Sequence, residues 1–96
     1  MRRAARKDGN HNEIADAFKA MGCTVADTSR LGENFPDMVV GLESKFGPVS
    51  IVVEVKDQGK LTDGQREWMD NWRGAKAVVH SVDHAVQIVS AWRQGW

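Results

Sequence analysis

A single cysteine, Cys23, stands among the 96 residues. The chain therefore has no internal disulfide and no cysteine cluster of the kind that holds zinc. A reducing compartment suits it, and the expected location is cytoplasmic. Long apolar runs are missing too. No stretch reaches the roughly 18 residues that a membrane-spanning helix needs, and the first residues lack the apolar centre of a secretory signal, so no membrane partner is expected. Net charge is also absent, because 13 basic and 13 acidic side chains cancel. Over the whole chain that balance argues against a protein that coats nucleic acid. Locally the picture differs. Arg2, Arg3, Arg6 and Lys7 precede the first acid, Asp8, so residues 1–9 have the composition of a phosphate-touching arm, although a solvated terminus reads the same way.

Repeats, low-complexity segments and linkers are lacking as well, and residues 10–96 read as one small domain. Its composition is that of an ordinary globular chain, 42% hydrophobic and 27% charged. So short a chain buries only a modest core, which makes added stability from self-association unsurprising. The elements run α, β, β, β, α, β, α. Ile14, Ala17, Phe18 and Met21 recur at helical spacing from Asn12 to Met21, with Asn10 or Asn12 as N-cap and Gly22 as the stop. Cys23 to Ala26 is a short strand, followed by a polar loop from Asp27 to Asn34. Asp37 to Leu42 and Val49 to Lys56 read as a hairpin joined across Glu43 to Pro48, where Gly47-Pro48 marks the turn. Thr62-Asp63-Gly64-Gln65 has the form of a capping box that opens a second helix, with Gln65, Trp68, Met69 and Trp72 on one face and Gly74 after it. Lys76 to Ser81 is a strand. Asp83 to Arg93 forms a third helix with Ala85, Ile88, Val89 and Trp92 inward. Strands apolar on both faces, between helices, imply an α/β fold with a mixed sheet flanked by helices.

One apolar run, Val49 to Val55, ends in charge. Side chains alternate along a strand, so Glu54 and Lys56 project from one face while Val53 and Val55 point to the other. Asp37 opens the neighbouring strand, and pairing of the two strands brings its carboxylate alongside Glu54. Two carboxylates and a backbone carbonyl such as that of Val55 are the hard oxygen ligands that Mg²⁺ or Mn²⁺ prefers. Beside such an ion, Lys56 orients or helps to deprotonate an attacking water and offsets charge building on phosphorus. Glu13 lies at the border of the first helix's buried face and can lean into the same cleft. Gln65 can hold Lys56, the water or a phosphate, a role that competes with capping its own helix.

These residues carry a resemblance. Pro36-Asp37, followed 17 positions after the Asp by Glu54-Val55-Lys56, resembles the PD-(D/E)XK nuclease pattern, and the element order is similar to that superfamily's core. With Glu13 on the helix before the motif and Gln65 early in the helix after it, the chain looks in particular like the small stand-alone VRR-NUC proteins, many of them from phages. The likeness runs from about Asn10 to Ala91. It implies metal-dependent hydrolysis of DNA phosphodiester bonds by a homodimer acting on branched DNA such as Holliday junctions. By the same analogy Glu13, Asp37, Glu54 and the Val55 carbonyl hold Mg²⁺ or Mn²⁺, Lys56 serves the water, and Gln65 assists. One departure concerns the approach to the site: Gly32-Glu33-Asn34-Phe35 places no glycine directly before Pro36.

Plainer readings stand beside this one. Trp68 and Trp72 are read as core or dimer contacts rather than base-stacking groups, Trp92 as core, and Trp96 as a partner contact or a loose end. His11, His80 and His84 lack metal-ligand spacing and read as surface or cap residues, with His11 the one to watch for its closeness to Glu13. Lys60, Arg66 and Arg73 flank the second helix, where they suit either phosphate contact or ordinary solvation. The balanced charge motivates an alternative function, a non-catalytic nucleic-acid-binding or regulatory module on the same fold.

Overall fold

Residues 9–95 are described by the computed structural model; residues 1–8, which hold all the charges of the basic arm, and Trp96 lie outside the described residues. The order of elements is the expected one: α1 (His11–Ala20), β1 (Thr24–Asp27), β2 (Met38–Ser44), β3 (Gly47–Val55), α2 (Asp63–Asn71), β4 (Ala75–Val79) and α3 (Val82–Gln94). The strands form one mixed sheet in the order β1-β2-β3-β4. The first two pairings are antiparallel and β3 with β4 is parallel. Each helix starts or stops for a local reason. Gly22 follows α1 at φ +87°, and Cys23 N–H reaches back to the Phe18 carbonyl at 3.0 Å, the left-handed helix ending that glycine makes easy. Ser81 caps α3 through His84 N–H. Thr62 and Gln65 form the capping box of α2 as expected.

The hairpin turns two residues earlier than the sequence suggests. Ser44 pairs with Gly47, so Lys45 and Phe46 are the turn, and Pro48 sits inside β3 opposite Glu43. Two features explain the shift. Gly47 takes φ +106°, and the Ser44 hydroxyl receives Phe46 N–H at 3.0 Å while donating to the Gly47 carbonyl at 2.7 Å. That small knot closes a two-residue loop without asking Pro48 for a donor it lacks.

On one face of the sheet, Met38, Val40, Leu42, Ile51, Val53, Val55 and Val79 meet Ile14 and Phe18 of α1 and Ala85 and Val89 of α3. This is the core. Burying a residue such as Phe18 contributes about 3 kcal/mol by area alone. The opposite face carries Val52, Glu54 and Lys76, since Val52 and Lys76 are register partners. Helix α2 covers this face. Its Met69 is buried, and the Lys76 ammonium donates to the Met69 and Trp72 carbonyls at 2.6 and 3.2 Å. The last turn of α2 has no basic residue of its own, so Lys76 of β4 supplies the cation that a helix C-terminus favours. Ile51 to Val55 are buried one after another because both faces of β3 are covered.

Candidate active site

The loop before β2 and the start of α2 meet where β3 and β4 end, with the Asn34 side chain beside Gly64. The antiparallel register closes at Met38 opposite Val53. One step further along it, Asp37 faces Glu54, and residues opposite one another share a face of the sheet. The Asp37 Oδ2 atom accepts Val55 N–H at 2.7 Å. Its main-chain carbonyl accepts Thr28 N–H at 2.9 Å, and the Thr28 hydroxyl donates to the Pro36 carbonyl at 2.7 Å. The loop before Asp37 is thereby closed at its base.

That loop reaches the site without a glycine at its last step. Glu33 and Asn34 instead adopt positive φ, 54° and 66°. Asparagine tolerates that region, whereas glutamate is strained there. Phe35 then packs edge-on against Trp68, with ring centroids 5.1 Å apart, and Trp68 stacks on Trp72 at 5.0 Å. The tryptophans, Trp68 on α2 and Trp72 at its C-cap, are thus a half-covered aromatic row that anchors the loop, and Trp72 keeps 37% of its surface exposed.

Glu54 is 4% exposed. A carboxylate so buried costs several kcal/mol unless donors compensate it, and Gln65 supplies one. Its Nε2 donates to Glu54 Oε2 at 3.1 Å. The other end of the same amide, Oε1, accepts Thr62 N–H at 2.9 Å, while Gln65 N–H donates to the Thr62 hydroxyl at 3.1 Å. The two roles expected to compete are therefore divided between the oxygen and the nitrogen of one side chain. Glu54 also lies by the N-terminal end of α2, where the helix dipole favours negative charge.

Lys56 is half-buried and follows the end of β3; strand alternation aims it from the same face as Glu54. Its N–H donates to the Val79 carbonyl at 3.0 Å. Glu13 stands exposed in the first turn of α1. Asn10, just before that helix, is its N-cap residue by position, but its amide does not cap; it donates to the His80 carbonyl at 2.9 Å. This tie sets the start of α1, and Glu13 with it, at the same end of the sheet. Lys60, Arg66 and Arg73 are all exposed around α2.

The structure brings Asp37, Glu54, Val55 and Gln65 together at one strand end and leaves Glu13 outside their hydrogen-bonded group. Among the described residues no cluster of three or more His, Cys, Asp or Glu forms a ready-made metal nest. Two carboxylates on adjacent strands nevertheless fit Mg²⁺, which keeps several waters and takes only one or two carboxylates from a protein.

Sequence reasoning missed His11, which is 3% exposed rather than on the surface. Its spacing to Ile14 and Phe18, the other buried residues of α1, is the signal that locates it, because the three share one helical face. His80 is exposed but hydrogen-bonded to Lys56, and no pattern in the sequence announces that contact. Cys23 is buried, and burial pushes its thiol above the ordinary value against the opposing pull of the Arg93 guanidinium.

Comparison with known proteins adds an independent finding. The pattern of the VRR-NUC domain matches residues 2–85, a span that includes every site residue named above. A solved structure described as "VRR_NUC domain" superposes with a TM-score of 0.68 at 25% identity, covering 85% of this chain and 91% of that one. No curated protein matches the chain.

Proposed function

The chain belongs to the VRR-NUC domain family, and from that premise we propose that it is a divalent-metal-dependent endonuclease that hydrolyses DNA phosphodiester bonds. Membership gives the nuclease class and DNA as its substrate; the metal, the preference for branched DNA and the dimer are our reading. The observation that carries it is the fixed carboxylate pair, with Asp37 held by Val55 N–H and Glu54 held by Gln65, at a strand end shared with Lys56.

Mg²⁺ or Mn²⁺ bound by Asp37, Glu54 and the Val55 carbonyl would polarise the scissile phosphate and acidify a coordinated water. The chain's own groups do the rest. Within a β-ladder the N–H and C=O of one residue leave the strand on the same side, so the Val55 carbonyl points toward Asp37, as its N–H does. Gln65 keeps Glu54 oriented without adding charge. The Lys56 ammonium holds the attacking water or a phosphate oxygen, and offsets negative charge as the new P–O bond forms and the opposite P–O bond breaks. Glu13, in the first turn of α1, assists through solvent. Lys60 and Arg66 touch the DNA backbone rather than base edges, which gives structure-selective cutting.

Resolution of a four-way junction needs two cuts, and a two-fold homodimer supplies two sites. Support for self-association comes from β4, an edge strand. Beside it runs a groove of about 450 Å³ lined by Ala75, Lys76, Ala77, Ile88, Ala91 and Trp92, and Val82 and Val86 are exposed on α3. The test is cleavage of a four-way DNA junction and of linear duplex with Mg²⁺ or Mn²⁺ by wild type, Asp37→Asn and Lys56→Ala. Loss of cutting in both variants is expected. Equal cutting by all three would place the activity elsewhere.

A further inference from the structure

Lys56 is the first residue beyond β3, where no ladder partner is due for its carbonyl. A histidine takes that place. As β4 ends at Val79 and turns into α3, the ring of His80 comes against Lys56, with Nδ1 2.9 Å from the Lys56 carbonyl oxygen. A carbonyl only accepts, so Nδ1 carries the proton. With Lys56 N–H bonded to the Val79 carbonyl, both polar groups of the lysine's main chain are held from the β4 side.

His80 is itself held. Its carbonyl accepts from the Asn10 amide at 2.9 Å, and its N–H donates to Nδ1 of His84 at 3.3 Å. The two imidazole planes lie within 4° of parallel, 5.7 Å apart. Because His84 Nδ1 receives a proton donor, it bears none of its own. The start of α1, the end of β4 and the first turn of α3 therefore meet on one residue, and that residue grips the main chain of Lys56. None of these contacts reaches the carboxylate pair.

We propose that His80 is a positioning residue: its Nδ1–H fixes the Lys56 carbonyl and so aims the Lys56 ammonium at the scissile phosphate. This rests on the nuclease reading of the site. Holding one residue by its backbone sets the origin of its side chain, and a displacement of about 1 Å at a reacting group lowers rates on the order of 100-fold.

The experiment compares the full chain with His80→Ala and His80→Asn in single-turnover cleavage of junction DNA with Mg²⁺, alongside junction affinity and melting temperature. Asparagine places an amide donor near the position of Nδ1; alanine places none. The expected result for His80→Ala is a cleavage rate lowered on the order of 10-fold or more with affinity and melting temperature near wild type, and a return of most of the rate in His80→Asn. Wild-type rates in His80→Ala would overturn the clamp alone, as would equal slowing in both variants or slowing that merely follows lost stability. A wild-type chain inert with Mg²⁺ and Mn²⁺ would instead overturn the nuclease reading, and the catalytic role of His80 with it.

Discussion

Replacing Gln65 by glutamate keeps the length of the side chain and its oxygen toward Thr62 N–H, 2.9 Å away. What changes is the atom 3.1 Å from Glu54 Oε2, where a donor becomes a second carboxylate oxygen. A hydrogen bond to a charged group is lost, worth about 1.5–3 kcal/mol. Repulsion at that spacing adds about 1 kcal/mol if fully water-screened and about 5 kcal/mol at an effective dielectric of 20. The pair can escape this by retaining one proton between its oxygens. At pH 7, keeping a proton on a carboxyl of ordinary value near 4.3 costs about 3.7 kcal/mol, which caps the penalty. Gln65→Glu should therefore lose about 2–4 kcal/mol at pH 7, each kcal/mol lowering the melting temperature of a domain this size by about 4–8 °C.

The pH dependence gives the decisive signature. The folded variant binds the shared proton more tightly than its unfolded chain does, so its stability falls as pH rises above the ordinary carboxyl value. Near pH 4 the protonated side chain donates to Glu54 as the amide did, and the deficit closes. Thermal melts of wild type and Gln65→Glu from pH 4 to 8 without divalent ions measure this. Curves displaced equally at both ends, or at neither, would show that the amide does not face the Glu54 carboxylate. Repeating the melts with Mg²⁺ tests the proposed site as well, because a cation held by Asp37 and Glu54 offsets the negative charge added at position 65 and should recover part of the loss at neutral pH.

Other perturbations read other parts of the fold. Thr62→Ala removes the hydroxyl that caps α2 and should lower stability by about 1 kcal/mol, measured by urea unfolding; an unchanged midpoint would mean that Gln65 alone secures the helix start. Phe18→Ala empties the centre of the core and should cost about 3–5 kcal/mol, a large part of the about 5–15 kcal/mol that holds a domain folded, visible as an unfolding midpoint shifted to lower urea when followed by helical circular dichroism; an unchanged midpoint would show that the core closes over the space. Glu33→Gly relieves an L-residue at φ 54° and should raise stability by about 0.5–1 kcal/mol; a lower melting temperature would show that the loop gains from the glutamate side chain. Cys23, whose thiol burial raises from 9.0, should react slowly with alkylating reagents until the chain unfolds. The folded state holds that proton more tightly than the unfolded one, so stability is fully present below about pH 9 and declines above it. Cys23→Ser should lessen that alkaline decline, and an identical decline in both would assign it to other groups.

The order of seven elements, the hairpin, the capping box at Thr62 and the helix stop at Gly22 all follow from spacing and residue type in the sequence. They were legible because each depends on neighbours within a few positions: helical period, strand alternation, a hydroxyl three residues before an amide, a glycine free to take positive φ. Long-range partners are not encoded that way. The shift of the turn from Gly47-Pro48 to Lys45-Phe46 came from the Ser44 hydroxyl. Burial of His11 came from the packing of α1, and the cation at the end of α2 came from Lys76 in β4. Gln65 was readable as a cap and as an assistant to the site, but only the arrival of α2 over Glu54 lets its two ends serve both. Likewise the sequence alone determined which residue types could hold a metal and a phosphate, whereas register decided that Asp37 meets the Val55 amide, and the turn into α3 decided that a histidine holds Lys56. The physical reason is reach. Local patterns settle backbone conformation, but a side chain's partner is chosen by whatever the closed fold sets within about 3 Å of it.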